Sequence, residues 1–386
     1  MAKAPIVTWQ AVLTDHQAFT YEALADLSGV KVLSHVVMIE DEARKKQGWL
    51  DVQVQSLNRL LIPKVNFFKY CFGVIKENQN SIHLFAAPFS DWRFIPCMLY
   101  AAWLNVDYFI ISEPYSPKSE GYLSDTSLVL GRIKALLRPH LYKFYALLLR
   151  KSVSGVFAIS RLAQLQFQLA GFPTSKLFLF GYFVPGQFGS KDLERFKLDR
   201  ESRSTIKAIF VGSLIRRKGV DLLVDVSKAL LAQCSKISID VYGPGNRDML
   251  PSHLPNLSYR GAIPFGRAQE EMARYDLVLI PSRHDGWGVA VNEAILAGIP
   301  VICSDHVGAG TLVDKFACGL DFKAGDHHGL LEVLRRIEDD PALLKFLTRQ
   351  AISAREMIEP RTAARYMLAI IESPPLKRAT IDSPWY

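Results

Sequence analysis

Residues 281–305 read PSRHDGWGVAVNEAILAGIPVICSD. The apolar run LVLI stands just before them at 277–280, and VICS closes the stretch at 301–304. Strand-like runs on both sides of a helical segment predict strand, turn, helix, strand. Two strands joined through a helix cannot form a hairpin; they lie parallel, in a sheet covered by helices on its faces. The turn between the first strand and the helix is unusual. Asp285 opens it, Gly286 and Gly288 strip the side chains from both sides of Trp287, and Glu293 follows about one turn into the helix.

The same alternation runs outward in both directions. TIKAIFVGS, KISIDVYG, LSYRGA, DLVLIPS and PVICSD are strand-like, and KGVDLLVDVSKALLAQ, AQEEMARY and VAVNEAILAG are helical between them. Upstream, PIVTWQAVL, VKVLSHVVMI, SIHLFAA, VDYFIISE and VFAIS alternate with helical text such as FTYEALADL and RLAQLQFQLAGF. The expected fold is therefore α/β, with two doubly wound Rossmann-like domains facing each other across a cleft. The expected boundaries are residues 1–187 for an N-terminal domain and 188–204, rich in glycine and charge, for a linker. Residues 205–358 are expected to form a C-terminal domain, and 359–386 a helix and tail crossing back to the N-terminal domain. At 386 residues the chain is long enough for two such cores.

In open α/β sheets ligands bind beyond the carboxyl ends of the strands. The turns at Gly212, at Gly243 and Gly245, at Asp285 and at Asp305 all follow strands of the second half, so they line one rim. Around Gly288 and Val289 a ligand can approach the unpaired N–H groups of a helix N-terminus, which favour an anion. Glu293 suits vicinal hydroxyls rather than phosphate, and Asp285 can accept from hydroxyls beyond the other end. Hydroxyl, diphosphate, hydroxyl is the pattern of a nucleotide-sugar. A plain glycine turn, with Asp285 capping the helix and Glu293 on the surface, would use the same residues. In FVGSLIRRKGVD, Arg216, Arg217 and Lys218 follow the strand ending at Val211 and its turn at Gly212 and Ser213. Three cations there suit a diphosphate, and they also suit a solvated basic loop.

Taken in order, FVGSL, RRKGVD, VYGPG, IPSRHDGWG and NEAILAGIPVICSD resemble the nucleotide-binding domain of retaining GT-B glycosyltransferases of family 4, over about residues 207–358. The family's two carboxylates with seven residues between them match Asp285 and Glu293, with Gly286 to Asn292 between. The resemblance implies that Glu293 binds the ribose hydroxyls of the donor, Asp285 contacts the donor sugar, the amides near Gly288 and Val289 hold the diphosphate, and Lys218 binds phosphate. Gly212, Ser213, Arg216, Arg217, Gly243, Gly245, His284, Gly286 and Trp287 complete the expected donor site. Two departures stand out: the first acid is Asp rather than the commoner Glu, and Ser213 replaces an arginine found in many members, so that Arg216 or Arg217 supplies the charge. The implied reaction is transfer of a sugar from a UDP- or GDP-linked donor to a glycan or lipid-linked saccharide, with retention and without metal or cofactor, in surface polysaccharide or glycoconjugate biosynthesis. No Asp-x-Asp element occurs. A nucleotide-sugar epimerase on a similar fold and a non-catalytic nucleotide-sugar or glycan-binding protein are the alternatives.

The N-terminal half resembles that family only loosely. His16, in the turn LTDHQAF, is a candidate for touching acceptor or donor sugar, or else a solvated or capping residue; Asp15 is expected to cap the following helix. Glu113, in SEPYSPKSEGY at the end of VDYFII, faces the expected cleft or is a simple turn carboxylate.

Composition sets the remaining bounds. Hydrophobic residues make up 49% and charged residues 22%, as in ordinary globular proteins. No apolar run reaches the roughly 18–20 residues of a membrane span, the start MAKAPIVTW lacks the pattern of a signal peptide, and five cysteines without a CxxC pair argue against a disulfide framework. The expected location is cytoplasmic. Net charge is +8, and from Thr126 to Lys191 there is no acidic residue. Within that region GRIKALLRPHLYKFYALLLRKS mixes Arg132, Lys134, Arg138 and Lys143 with Leu, Phe and Tyr, a composition suited to the anionic inner face of a membrane. Two ordinary helices broken at Pro139 are the alternative. Nucleic acid is not expected, because no recognition motif accompanies the charge.

Overall fold

A computed structural model describes residues 4–40, 54, 57–86, 91–122, 128–189, 192, 204–264 and 266–386. The expected linker 188–204 lies mostly outside the described residues, as do 126, 127, 190 and 191 of the basic region.

The first sheet holds β1 (Ile6–Gln10), β2 (Val32–Val36), β3 (Asn58–Leu61), β4 (Ile82–Phe85), β5 (Tyr108–Ser112), β6 (Gly155–Ile159) and β7 (Leu177–Phe180). All are parallel, in the order β3-β2-β1-β4-β5-β6-β7. Its helices are α1 (Asp15–Ser28), α2 (Phe67–Glu77), α3 (Phe94–Trp103), α4 (Leu128–Leu149) and α5 (Ser160–Ala170). The second sheet holds β8 (Ile206–Val211), β9 (Ile237–Tyr242), β10 (Leu257–Gly261), β11 (Leu277–Ile280), β12 (Val301–Ser304) and β13 (Gly319–Phe322). It is also parallel, in the order β10-β9-β8-β11-β12-β13. Its helices are α6 (Val220–Ala232), α7 (Ala268–Met272), α8 (Val289–Leu296), α9 (Gly310–Phe316), α10 (His327–Asp339) and α11 (Pro341–Ala354). Strands β1, β5 and β6 are buried at every residue, as strands covered on both faces must be.

Each sheet winds outward from its first strand in both directions. The strand order therefore reverses between β1 and β4 in one domain and between β8 and β11 in the other, and a crevice opens at those points. Gly212 follows β8 and Asp285 follows β11, so the two turns with the most suggestive chemistry flank a single crevice.

One alternative is set aside and one local expectation is corrected. Helix α4 runs through Pro139 without breaking. Proline removes one backbone bond to the preceding turn, but Tyr142, Ala146 and Leu149 beyond it are buried in the same core as α3 and α5, and that packing holds the helix together. The cap of α1 is Thr14 rather than Asp15, which is already helical; the Thr14 hydroxyl donates to Gln17 Oε1 (3.1 Å).

After α11 the chain continues into α12 (Pro360–Glu372) and α13 (Pro375–Arg378). Helix α12 packs along α1 of the first domain. Beyond it, Trp385 stacks on Phe183 at 4.3 Å between ring centres while its indole N–H donates to the Met357 carbonyl (2.7 Å). The tail thereby ties residues of both domains to the crossing at 181–188.

Candidate active site

The loop leaving β8 and the loop leaving β11 are fastened to each other before any ligand is considered. Arg283 makes a two-pronged ion pair with Asp221 (2.7 Å on each prong) and donates to the Arg216 carbonyl (2.6 Å), while its own N–H donates to the Arg217 carbonyl (2.8 Å). Gly219, at φ +79°, lies so close to the Pro281 carbonyl that a Cβ there would collide with it. Glycine is therefore required at that position by space as well as by conformation.

This fastening aims Lys218 across the crevice. Its Nζ donates to Asp285 Oδ2 at 2.5 Å, with both side chains largely covered. Burial alone would raise the Asp285 carboxyl, but Lys218 and Arg217 outweigh it and hold the group below the usual carboxylate range. Arg217 turns inward and donates to the His284 carbonyl (2.9 Å), whereas Arg216 stays in solvent with 66% of its side chain exposed. Of the two arginines, Arg217 is thus the one whose charge is felt at Asp285.

The turn itself is built for close approach. Gly288 caps α8 at φ +92°, leaving the first amides of the helix facing the bare turn. Glu293 stands on the second turn of α8, half-buried, and burial pushes its carboxyl up to about 7 with no cation acting against it. The two acids therefore sit in opposite environments: Asp285 is fixed as an anion, and Glu293 titrates near neutrality. His284 is buried, its imidazole is pushed down to about 4 mainly by burial, and its Nδ1 has no hydrogen-bond partner among the described residues.

Trp287 departs from its expected place. Its side chain is 2% exposed, and the indole N–H donates both to the Tyr182 carbonyl (2.8 Å) and to Asn292 Oδ1 (2.8 Å). The ring packs against Gly181, where a Cβ would collide with it. The side chain thus faces the interdomain crossing and not the crevice, so it links the glycine turn to the segment at Gly181 and Tyr182. Gly243 and Gly245 also have a packing reason. A Cβ at Gly243 would strike the Gly212 carbonyl, and Gly245 pairs with Leu214 in an isolated bridge. These glycines let the β8 and β9 loops touch backbone to backbone, with Gly212 and Ser213 half-exposed between them.

Of the two N-terminal candidates, Glu113 reaches the turn. A Cβ at Gly286 would lie 2.5 Å from Glu113 Oε2, so the Glu113 carboxylate covers the bare turn from the other domain. His16 lies tilted against the ring of Tyr182, ring centres 4.3 Å apart, and its Nε2 is 3.0 Å from the Thr14 hydroxyl.

The turn at Asp305 takes its expected place on the rim, but the residues that follow it were not named from the sequence. The loop after β12, HVGAG at 306–310, is laced to the glycine turn: Asp285 N–H donates to the His306 carbonyl (3.0 Å), Gly308 N–H to the Asp285 carbonyl (3.0 Å) and Ala309 N–H to the Trp287 carbonyl (2.7 Å). Beside it opens a cavity of about 190 Å³ lined by Arg161, Asp285, Asp305, His306 and Asp314, among others. Ser160, the first residue of α5, is held at φ +82° against Gly308. The glycine pair after CSD was the available signal for that loop. Ser160 and Arg161 gave none.

With this geometry in place, comparison with known proteins is informative. Residues 190–357 match the family model for glycosyl transferases group 1. The putative teichuronic acid biosynthesis glycosyltransferase TuaC of Bacillus subtilis is 26% identical over 202 residues, 49% of this chain and 48% of that protein. The amylovoran biosynthesis glycosyltransferase AmsK of Erwinia amylovora is 25% identical over 198 residues, 48% of this chain and 47% of that protein. The chain thus spans about half the length of these curated relatives. Among solved structures, Anabaena HepE in complex with UDP-glucose superposes with a TM-score of 0.68 at 15% identity, over 96% of this chain and all of that one. WaaG, a glycosyltransferase involved in lipopolysaccharide biosynthesis, gives 0.63 at 15% identity over 96% of this chain. Residues 190–357 are thus similar to the glycosyl transferases group 1, and the chain as a whole has the two-domain GT-B fold.

Proposed function

We propose that the chain transfers a sugar from a nucleotide-sugar donor to a glycan or lipid-linked saccharide acceptor, with retention of anomeric configuration, in the synthesis of a surface polysaccharide or glycoconjugate. The observation that carries this reading is the Lys218–Asp285 pair, at 2.5 Å, in a side-chain-free turn at the switch point of the second sheet. The pair brings together the two kinds of group a donor needs: a cation for phosphate at Lys218 and a carboxylate for sugar hydroxyls at Asp285. A donor engages both at once. Its diphosphate takes Lys218 and the first amides of α8, its sugar hydroxyls take Asp285, and its ribose hydroxyls take Glu293.

The chemistry then follows from charge. As the bond between the anomeric carbon and the diphosphate oxygen breaks, negative charge grows on the leaving group. Lys218, Arg217 and the α8 amides already stand where that charge appears, and such preorganised stabilisation is the largest catalytic contribution. The acceptor hydroxyl attacks from the same face, and its proton passes to the departing phosphate oxygen, so the reaction needs no strong base and no metal. Glu113, over Gly286, borders the position of the reacting sugar from the acceptor side.

Incubating the purified chain with a panel of UDP-, GDP- and ADP-sugars, with and without saccharide acceptors, tests this. UDP-glucose is the first donor to try, since the fold neighbour from Anabaena was solved with it. Nucleotide release only when acceptor is present supports transfer. Conversion of the donor to an epimer without acceptor, or tight binding with no turnover for any pair, contradicts it in favour of an epimerase or a binding protein.

A further inference from the structure

We propose that the outer face of α4 docks on an anionic lipid bilayer. Val129, Leu136 and Leu147 are 64%, 67% and 67% exposed, and Phe144 and Ile133 are 55% and 46% exposed. At about 100° per residue these five fall within an arc of roughly 80° on the helix. The opposite side carries Tyr142, Ala146 and Leu149, all buried in the N-terminal core. The helix is thus apolar on two faces, and among the described residues only one of them is covered.

The basic residues take the borders of the apolar stripe. By the same angular count, Arg132 and Lys143, with Arg150 just past the helix end, run along one edge and Lys134 along the other, while Arg138 falls nearer the buried side. This explains why the cations do not collect on one stripe of the wheel: they flank the hydrophobic one on both sides. The flanking helices continue the surface, with Trp103 74% exposed at the end of α3 and Leu169 67% exposed on α5, both helices packing against α4.

Exposed apolar surface on this scale marks an interaction face, and the charge selects the partner. No acidic residue occurs from Thr126 to Lys191. A second copy of the chain would bring like-charged edges together, whereas anionic headgroups neutralise them. An amphipathic helix with Lys and Arg at its borders lies in the plane of the headgroups, its apolar side chains in the acyl boundary. Among the described residues no helix is long and apolar enough to cross a membrane, so the attachment is peripheral.

Sedimentation of the full chain with phosphatidylcholine vesicles, with and without a quarter of phosphatidylglycerol, tests the proposal. The wild type is expected to pellet with the anionic vesicles at low salt, to be released by high salt, and to stay in solution with phosphatidylcholine alone. Leu136→Ser, Phe144→Ser and Leu147→Ser combined should reduce binding at least tenfold without shifting the melting temperature, because all three side chains are exposed. Arg132→Gln with Lys143→Gln should reduce it about 25-fold, roughly fivefold per charge. A wild type that stays in solution with anionic vesicles, or variants that pellet as well as the wild type, overturns the proposal. So does a chain that dimerises through this face and ignores vesicles. The assay uses neither donor nor acceptor, so its outcome is separable from that of the transferase reading.

Discussion

Glu293 offers a test in which stability and binding must move in opposite directions. Its carboxyl is shifted from an ordinary 4.5 to about 7 by burial alone. A group whose folded value lies above its unfolded value prefers to be protonated in the native state. The unfolded chain gives up the proton first, so the fold loses stability as pH rises from about 4.5 to about 7, and the cost is complete above that. At about 1.4 kcal/mol per unit the full shift corresponds to about 3 kcal/mol. The side chain is half-buried, and solvent screening reduces this to about 1–2 kcal/mol. Glu293→Gln keeps the shape and removes the ionisation, so at about pH 8 it should stabilise the ligand-free C-terminal domain, raising its melting temperature by roughly 2–8 °C. That gain should shrink steadily as the pH is lowered through 7. The same substitution should weaken nucleotide-sugar binding, because the carboxylate proposed to accept the ribose hydroxyls is lost. A wild-type protein near pH 7 should also release protons when nucleotide binds, visible as a buffer-dependent heat in calorimetry, and Glu293→Gln should not. If Glu293→Gln lowers the melting temperature at pH 8, or leaves nucleotide affinity intact, the environment assigned to this residue is wrong.

Two further substitutions probe the scaffold. Trp287→Ala should cost about 3–5 kcal/mol in denaturant unfolding, as the loss of a fully buried aromatic does, and should also weaken nucleotide binding because the donor turn is uncoupled from Tyr182; a change under about 1 kcal/mol would contradict the packing described. Gly243→Ala should prevent accumulation of folded protein, its Cβ meeting the Gly212 carbonyl, whereas Gly261→Ala, with φ +95° and open space, should cost only about 1–2 kcal/mol of backbone strain. Equal melting temperatures for the two variants would refute that distinction.

How much of this could be read from the sequence depended on whether the signal was local. Strand-turn-helix punctuation around Gly212, Gly243 and Asp285 is local, and it fixed the parallel sheets and the rim. The pairing of Lys218 with Asp285 joins residues 67 apart, but both follow strands on the same side of the sheet, so topology brings them together. The direction of Trp287 could not be read. A tryptophan between two glycines looks like a ligand contact until the segment at Gly181 and Tyr182 is in place to receive it. Helix α4 left two readings open: Pro139 suggests a break, and the buried Tyr142 and Ala146 show why the helix continues. Glu113 was named from its place after a strand, but its position over Gly286 depends on how the two domains meet, which no short pattern encodes. Arg283 and Asp221, which staple the two loops, left no mark beyond ordinary charge.

The central claim is that the Lys218–Asp285 crevice holds the diphosphate of a nucleotide-sugar. Its most direct test is the melting temperature of wild type and Lys218→Ala across a panel of nucleotide-sugars. Ligand that binds only the folded state stabilises it by about 2.7 kcal/mol at a hundred times its Kd. The account predicts that at least one nucleotide-sugar raises the melting temperature of the wild type by several degrees and leaves that of Lys218→Ala unmoved. A panel in which nothing stabilises the wild type, or in which Lys218→Ala responds equally, contradicts it.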